Sequence, residues 1–143
     1  MPVARVGRFS DSSCYQLHRL VTELTKTAER ELRAASGMSF SQFLVLQALL
    51  EKGELNQAEI SDYVGVTPAV MTKQVDYLSA AGWLVRKHST TDRRQQVISL
   101  SARGRQLAEQ LSRQILDEVE TTVAESLLPH YRDKLSDLLA EWR

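Results

Sequence analysis

Residues 56–100, NQAEISDYVGVTPAVMTKQVDYLSAAGWLVRKHSTTDRRQQVISL, decide how the chain is read. Asn56 is a good helix N-cap, and Glu59 three residues on completes a capping-box pattern. Gly65 predicts the end of that helix, because a left-handed residue without a side chain carries no clash there. Thr67 then caps a second helix with Pro68 at its first position, where a missing N–H is harmless, and Gly82 closes it. Ile60, Val64, Val66 and Met71 are spaced to pack the two helices across the turn. Residues 83–87 and 96–100 are apolar, β-prone runs joined by the polar segment 88–95, the pattern of a hairpin. Two short helices across a tight turn, followed by a hairpin, predict a helix-turn-helix with a wing.

The second helix has two faces. Met71, Val75 and Leu78 recur at i, i+4 and i+7 and are expected in the core. Ala69, Thr72, Lys73 and Asp76 fall roughly opposite, and Ala, Thr and Lys are residue types that meet bases and phosphates in a major groove. Thr67, Pro68, Ala69, Thr72, Lys73 and Gln74 are therefore the candidate DNA-contacting residues of this helix. On the hairpin the candidates are Arg93 and Arg94, since an arginine on a protruding wing suits the negative potential of a narrow minor groove. Arg93 and Arg94 are expected to point to opposite sides of an extended hairpin, with Asp92 on the Arg94 side. Asp92 is expected to hold the Arg94 side chain in one pose as a wing support.

A chain of 143 residues with 43% hydrophobic and 25% charged residues is ordinary for one globular domain. No apolar run approaches the roughly 20 residues that span a bilayer, and MPVARVGRFSDSS has no apolar signal core, so a cytoplasmic location is expected. The single cysteine excludes an internal disulfide framework and fits a reducing compartment. The net charge is zero, but it is unevenly spread. Residues 67–105 hold Lys73, Arg86, Lys87, Arg93, Arg94, Arg103 and Arg105 against Asp76 and Asp92, seven bases to two acids, or +5. Residues 106–143 come to −4 and residues 1–66 to −1. A positive field on the helix-turn-helix and wing is what a DNA-binding surface requires, and a solvated basic face is the plainer alternative.

Residues 1–11 read as a flexible arm. A helix follows from Ser12 to about Ala35, with Leu17, Leu20, Val21, Leu24, Ala28 and Leu32 on one side, and Gly37 breaks it. Ser39 with Gln42 offers another capping box for a helix that buries Phe43, Leu46, Leu49 and Leu50 and stops at Gly53. Residues 54–55 are a short link. Ser101 caps a long helix from about Ala102 to Ser126, with Gly104 tolerated in its first turn and Leu107, Leu111, Ile115, Val119 and Val123 stepping by four. Pro129 fits the opening of a last helix carrying Leu135, Leu138, Leu139 and Trp142.

The fold class expected is mainly α with a small β-hairpin. Residues 39–100 form a winged helix-turn-helix DNA-binding region, and residues 12–36 with 102–143 form a helical dimerisation region. A compact monomer would struggle to cover the apolar stripes of the terminal helices, whereas a second copy buries them. Two-fold pairing also presents two recognition helices to successive major grooves, roughly 34–36 Å apart.

The chain resembles the MarR (multiple antibiotic resistance regulator) family of bacterial winged-helix regulators over nearly its whole length, from about Ser12 to Trp142. The most specific part is LSAAGWLVRKHSTTDRRQQVISLSARG, residues 78–104, with Gly82, the Asp92-x-Arg94 wing element and the Leu100-Ser101-x-x-Gly104 exit in the family's places. Thr72-Lys73 stands where the family usually has Thr-Arg. The resemblance implies a homodimer on a pseudo-palindromic operator, often a repressor. It also implies release of DNA by a small phenolic or aromatic acid bound between the two regions, or by oxidation of a cysteine. Cys14, early in the first helix, is similar in position to the cysteine of the organic-hydroperoxide sensors. Those sensors use tyrosine hydroxyls where this chain has Phe40 and Phe43, which donate no hydrogen bond. Sensing of oxidant through Cys14 stands as the alternative.

Other chemistry has little support in the sequence. Cys14 and His18 are four apart on one helical face, but a metal site needs more ligands than these. A buried or partly exposed inert thiol is the plainer account of Cys14. No Gly-rich phosphate loop, nucleophile elbow or paired-carboxylate motif is present, so no enzyme, metal or cofactor is expected. Trp83 is expected to anchor the hairpin. A winged helix used only for protein contacts is the rival of a different class, and the salt dependence of binding separates the two.

Overall fold

The computed structural model describes residues 7–120 and 132–142. A 3₁₀ turn at Phe9–Asp11 leads into α1 (Ser13–Ser36), followed by α2 (Phe40–Lys52), α3 (Gln57–Val64) and α4 (Pro68–Ala80). Strands β1 (Leu84–His88) and β2 (Gln96–Leu100) come next, then α5 (Ala102–Ile115) and α6 (Arg132–Glu141). The chain is mainly helical with one small antiparallel hairpin, as its sequence predicts.

Local chemistry sets most of the boundaries. Ser39 and Gln42, and likewise Asn56 and Glu59, form reciprocal capping boxes. Ser12, Thr67 and Ser101 each accept a backbone N–H from three residues on. These bonds satisfy amide groups that the first helical turn leaves without partners. Gly37 and Gly65 take left-handed conformations at the C-caps of α1 and α3.

The core lies where α2 meets α3, α4, α5 and the wing. Leu32, Val45, Leu46, Leu49, Ile60, Met71, Val75, Leu78 and Leu111 are fully buried there. Met71, Val75 and Leu78 occupy the inward face of α4, and Val64 and Val66 pack at its edge. Gln47 is the buried polar member of α2, and its Nε2 donates to the Ala108 carbonyl of α5 at 3.1 Å.

Three expectations change, while the open part of the α1 stripe agrees with a single copy that does not cover its terminal helices. Of the apolar stripe on α1, only Ala28 and Leu32 are buried, whereas Leu17, Leu20 and Val21 are exposed. Periodicity finds a stripe, but how far the core reaches along it depends on where α2 and α5 end. Part of the N-terminal arm is structured: Phe9 packs edge-on against Tyr15 with ring centres 6.3 Å apart, and Gln16 Nε2 donates to the Ser10 carbonyl. The link at residues 54–55 joins the sheet, because Leu55 exchanges backbone hydrogen bonds with Ile98 at 2.8 and 3.1 Å. The helix after the wing is α-helical only to Ile115 and continues as a π-helical turn over Leu116–Glu120. Val123 and Pro129 lie outside the described residues.

Gly104 is also more than tolerated. A Cβ on Gly104 would stand 2.9 Å from the Trp83 carbonyl carbon and closer still to its oxygen. Ser101 Oγ accepts the Gly104 N–H at 2.9 Å and donates to the carbonyls of Gly82 (2.7 Å) and Trp83 (3.2 Å). The end of α4, the start of the wing and the start of α5 therefore meet at one tight joint. Trp83 packs on the core with the Arg103 guanidinium 4.9 Å above its ring, which fits an anchoring role.

Candidate nucleic-acid interface

With Met71, Val75 and Leu78 fixed inward, the helical period turns Thr67, Pro68, Ala69, Thr72 and Lys73 outward, and all five are exposed. Pro68 presets the first turn, and Thr67 Oγ1 accepts the Val70 N–H. Val70, which the sequence reading passed over, is 43% exposed beside them. Lys73 makes no ion pair among the described residues, so its ammonium is available to an outside anion.

Gln74 departs from this set. It is half-buried and its Nε2 donates to Ser41 Oγ of α2 at 2.7 Å, so its side chain turns toward the body of the domain. Adjacent positions on a helix diverge by about 100°, and that step carries Gln74 from the open face onto α2. Asp76 does lie on the open side, but it pairs with Arg86 of β1. Lys87 pairs in the same way with Glu54. Two of the seven bases counted in the sequence are thus balanced by carboxylates, and a third, Arg103, lies over Trp83. Four of the seven bases have neither a carboxylate nor a ring partner among the described residues: Lys73 on α4, Arg93 and Arg94 on the wing, and Arg105 on α5.

The wing pairs Leu84 with Leu100 and His88 with Gln96 at its outer end. Beyond that pair, the Ser89 N–H donates to the Gln95 carbonyl and the Gln95 N–H to the Asp92 carbonyl. Asp92 Oδ1 accepts the backbone N–H of Arg94 at 2.9 Å. The expected support of the Arg94 guanidinium by Asp92 is therefore replaced by support of its backbone, and no ion pair joins the two side chains among the described residues. Arg93 and Arg94 sit in a turn and not on an extended strand, so strand alternation does not set their directions. A short carboxylate two residues before a turn amide is well suited to hold it. Both arginines are exposed.

A cleft of about 410 Å³ opens between the two parts, lined by Asn56, Gln57 and Ala58 of the α3 start and by Arg94, Gln95, Gln96 and Ile98 of the wing. Gln57 crosses from α3 to α4, with its Nε2 donating to Thr72 Oγ1 at 2.6 Å. The sequence reading did not single out Gln57, since a contact across fifteen positions leaves no periodic trace.

On the far side of α3 a second cleft, about 390 Å³, is lined by Lys52, Leu55, Glu59, Asp62 and Tyr63. The Tyr63 phenol there has its pKa pushed up to about 12 by burial, helped by its hydrogen bond to Glu51 and that carboxylate's charge. Cys14 and His18 are both exposed on α1, and no hydrogen bond joins them. Phe40 and Phe43 pack against each other with ring centres 6.2 Å apart. Among the described residues no group of three or more His, Cys, Asp or Glu is arranged to hold a metal ion, and no helix is long and apolar enough to cross a membrane.

A family model described as the MarR family matches residues 36–95, which span α2 to the wing tip. The chain is 28% identical over 141 residues to the HTH-type transcriptional regulator PapX of Escherichia coli, covering 87% of this chain and 86% of PapX. It is 31% identical over 94 residues to the HTH-type transcriptional repressor Rv2887 of Mycobacterium tuberculosis, covering 66% and 67% of the two chains. Among solved structures it superimposes on the transcriptional repressor CouR bound to a 23-mer DNA duplex, with a TM-score of 0.76, 25% identity and 96% coverage of both chains. CouR from Rhodococcus jostii RHA1, bound to p-coumaroyl-CoA, gives a TM-score of 0.81 at 24% identity, with 91% and 90% covered. Capped helix pair, inward-facing α4, wing and relatives agree: the chain belongs to the MarR family of winged helix-turn-helix transcriptional regulators, which are DNA-binding proteins and not enzymes.

Proposed function

We propose that this chain is a cytoplasmic repressor that binds a pseudo-palindromic operator as a homodimer. The observation that carries this reading is the coincidence of exposure and unpaired charge on α4 and at the wing tip. Thr67, Pro68, Ala69, Thr72 and Lys73 enter the major groove, and Arg93 and Arg94 reach the adjacent minor groove. Gln74 is left out because its amide is engaged with Ser41. Residues 39–100 are the DNA-binding region.

The dimerisation region is residues 12–36 with 102–143. Leu17, Leu20 and Val21 on α1, Leu138 and Leu139 on α6 and Trp142 just after it support it, since all six are exposed and apolar. Covering such side chains gains about 1.5–3 kcal/mol each, which a second copy supplies. A small phenolic or aromatic acid, bound between the two regions, is the effector this reading favours. The alternative of oxidant sensing draws only on the exposure of Cys14. It requires peroxide to release DNA from wild type and not from Cys14→Ser.

The test is selection of a duplex from a randomised pool by the purified protein, followed by titration at several salt concentrations. A DNA reader loses affinity steeply and log-linearly as salt rises, and a protein-contact module selects no duplex. Ala69→Glu brings a carboxylate toward phosphates and should abolish binding, and equal affinity in this variant and wild type would exclude this face as the reading surface.

A further inference from the structure

Thr72 stands on the open face of α4, yet its hydroxyl is engaged inside the protein. The hydroxyl donates to the Pro68 carbonyl at 3.0 Å and accepts the Gln57 Nε2–H at 2.6 Å. Gln57 belongs to α3, so a residue outside the recognition helix acts on a side chain within it. A helical threonine ordinarily divides between two χ1 rotamers, because its hydroxyl can reach either of two preceding carbonyls. The bond from α3 selects the rotamer in which Oγ1 lies between Pro68 and Gln57. The methyl group, on the same tetrahedral carbon, takes another direction, and Thr72 as a whole is exposed. A hydroxyl with its hydrogen and one lone pair already committed is a poor reader of base donors and acceptors. What remains to offer is the methyl, and the base-edge feature that a methyl matches is the C5-methyl of thymine.

We infer that Thr72 selects thymine at one position of each half-site by methyl contact, and that Gln57 is the positioning residue that holds it in that pose. The inference rests on the DNA-binding reading above and names one of its specificity contacts. It also separates two roles on one face of α4: Lys73 brings charge, and Thr72 brings shape.

The duplex selected by the wild type is resynthesised with each thymine replaced in turn by deoxyuridine, which removes the C5-methyl and leaves every hydrogen-bonding group. One replacement per half-site should weaken wild-type binding about four-fold. That is the ratio corresponding to the ~0.8 kcal/mol of one buried methyl group, at about 1.4 kcal/mol per decade. Thr72→Ser keeps the hydroxyl without the methyl and should bind both duplexes equally, whereas Thr72→Val keeps the methyl and the discrimination. Gln57→Ala frees the rotamer and should lower the discrimination. Adding Thr72→Val to Gln57→Ala should restore it, since valine carries methyls at both γ positions and holds one rotamer in a helix. A merely structural role for Gln57 would not be rescued in this way. Undiminished thymine discrimination in Thr72→Ser, or its loss in Thr72→Val, overturns the thymine contact. Wild-type discrimination in Gln57→Ala overturns the positioning role. An enriched duplex with no deoxyuridine effect anywhere sinks this inference alone, and failure to enrich any duplex sinks the DNA-binding reading with it.

Discussion

The carboxylate of Asp92 holds the backbone amide of Arg94 at 2.9 Å, so the wing tip is braced through its main chain. An exposed bond of this type contributes about 0.5–1.5 kcal/mol, enough to restrict a turn but not to govern folding. Asp92→Ala should therefore weaken duplex binding modestly although it removes a negative charge. Asp92→Asn, whose amide oxygen still accepts the bond, should bind at least as well as wild type. Arg94→Ala should cost more affinity than Arg93→Ala, with a smaller loss where the flanks are poor in A·T pairs. Tighter binding by Asp92→Ala at low salt would show that bulk charge governs the wing.

At the joint between Trp83 and Gly104, the close approach of two backbones leaves no room for a side chain. Gly104→Ala, otherwise a favourable change in a helix, should destabilise by about 1–3 kcal/mol or more. In a chain of this size each kcal/mol lowers Tm by roughly 2–4 °C. A thermal melt that matches or exceeds wild type would mean that α5 slides aside at no expense.

The apolar faces of α1 and α6 should cover each other's copies. Trp142 is 88% exposed and Leu139 68%, levels at which a side chain gains nothing from the chain's own core. The protein should sediment as a dimer at micromolar concentration. Leu17→Glu with Val21→Glu should give monomer whose duplex affinity falls by orders of magnitude, because one recognition helix then binds alone. Sedimentation of wild type as a monomer would refute the pairing.

Tyr63 on α3 offers a pH readout. Its folded pKa, about 12, lies above the ordinary value of 10, so the folded state binds the phenolic proton more tightly than the unfolded state. The stabilisation is fully present below pH 10 and is lost as pH rises through about 12. Because Tyr63 is 36% exposed, solvent screens the effect and the stability change should be small. Phenolate absorbance, as the difference between wild type and Tyr63→Phe, should show the raised midpoint. Glu51→Gln should move that midpoint down, and an unmoved midpoint would leave burial as the sole cause.

Much of this protein is determined by residues within four positions of one another. The capping boxes at Ser39/Gln42 and Asn56/Glu59, the caps at Thr67 and Ser101, and the inward row of Met71, Val75 and Leu78 are such features. All are legible in sequence because helical geometry alone brings their partners together. The hairpin is legible from two β-prone runs and a polar turn, but its register is not, since β1 begins at Leu84, one residue after the run read from the sequence, and pairs Leu84 with Leu100. Other features exist only once elements have met. Leu55 forms a single β-bridge because Ile98 lies beside it, Gln74 leaves the open face for Ser41, and Asp76 and Glu54 pair with Arg86 and Lys87. Asp92 reads as a partner for a guanidinium in sequence alone, because spacing does not say which donor of Arg94 comes within reach. The extent of the buried stripe on α1, the tight joint at Gly104 and the bond from Gln57 to Thr72 likewise depend on helix-to-helix distances. Periodicity states which face of a helix is apolar, and only the packing of neighbours decides which part of that face is covered and which side chains meet across the gap.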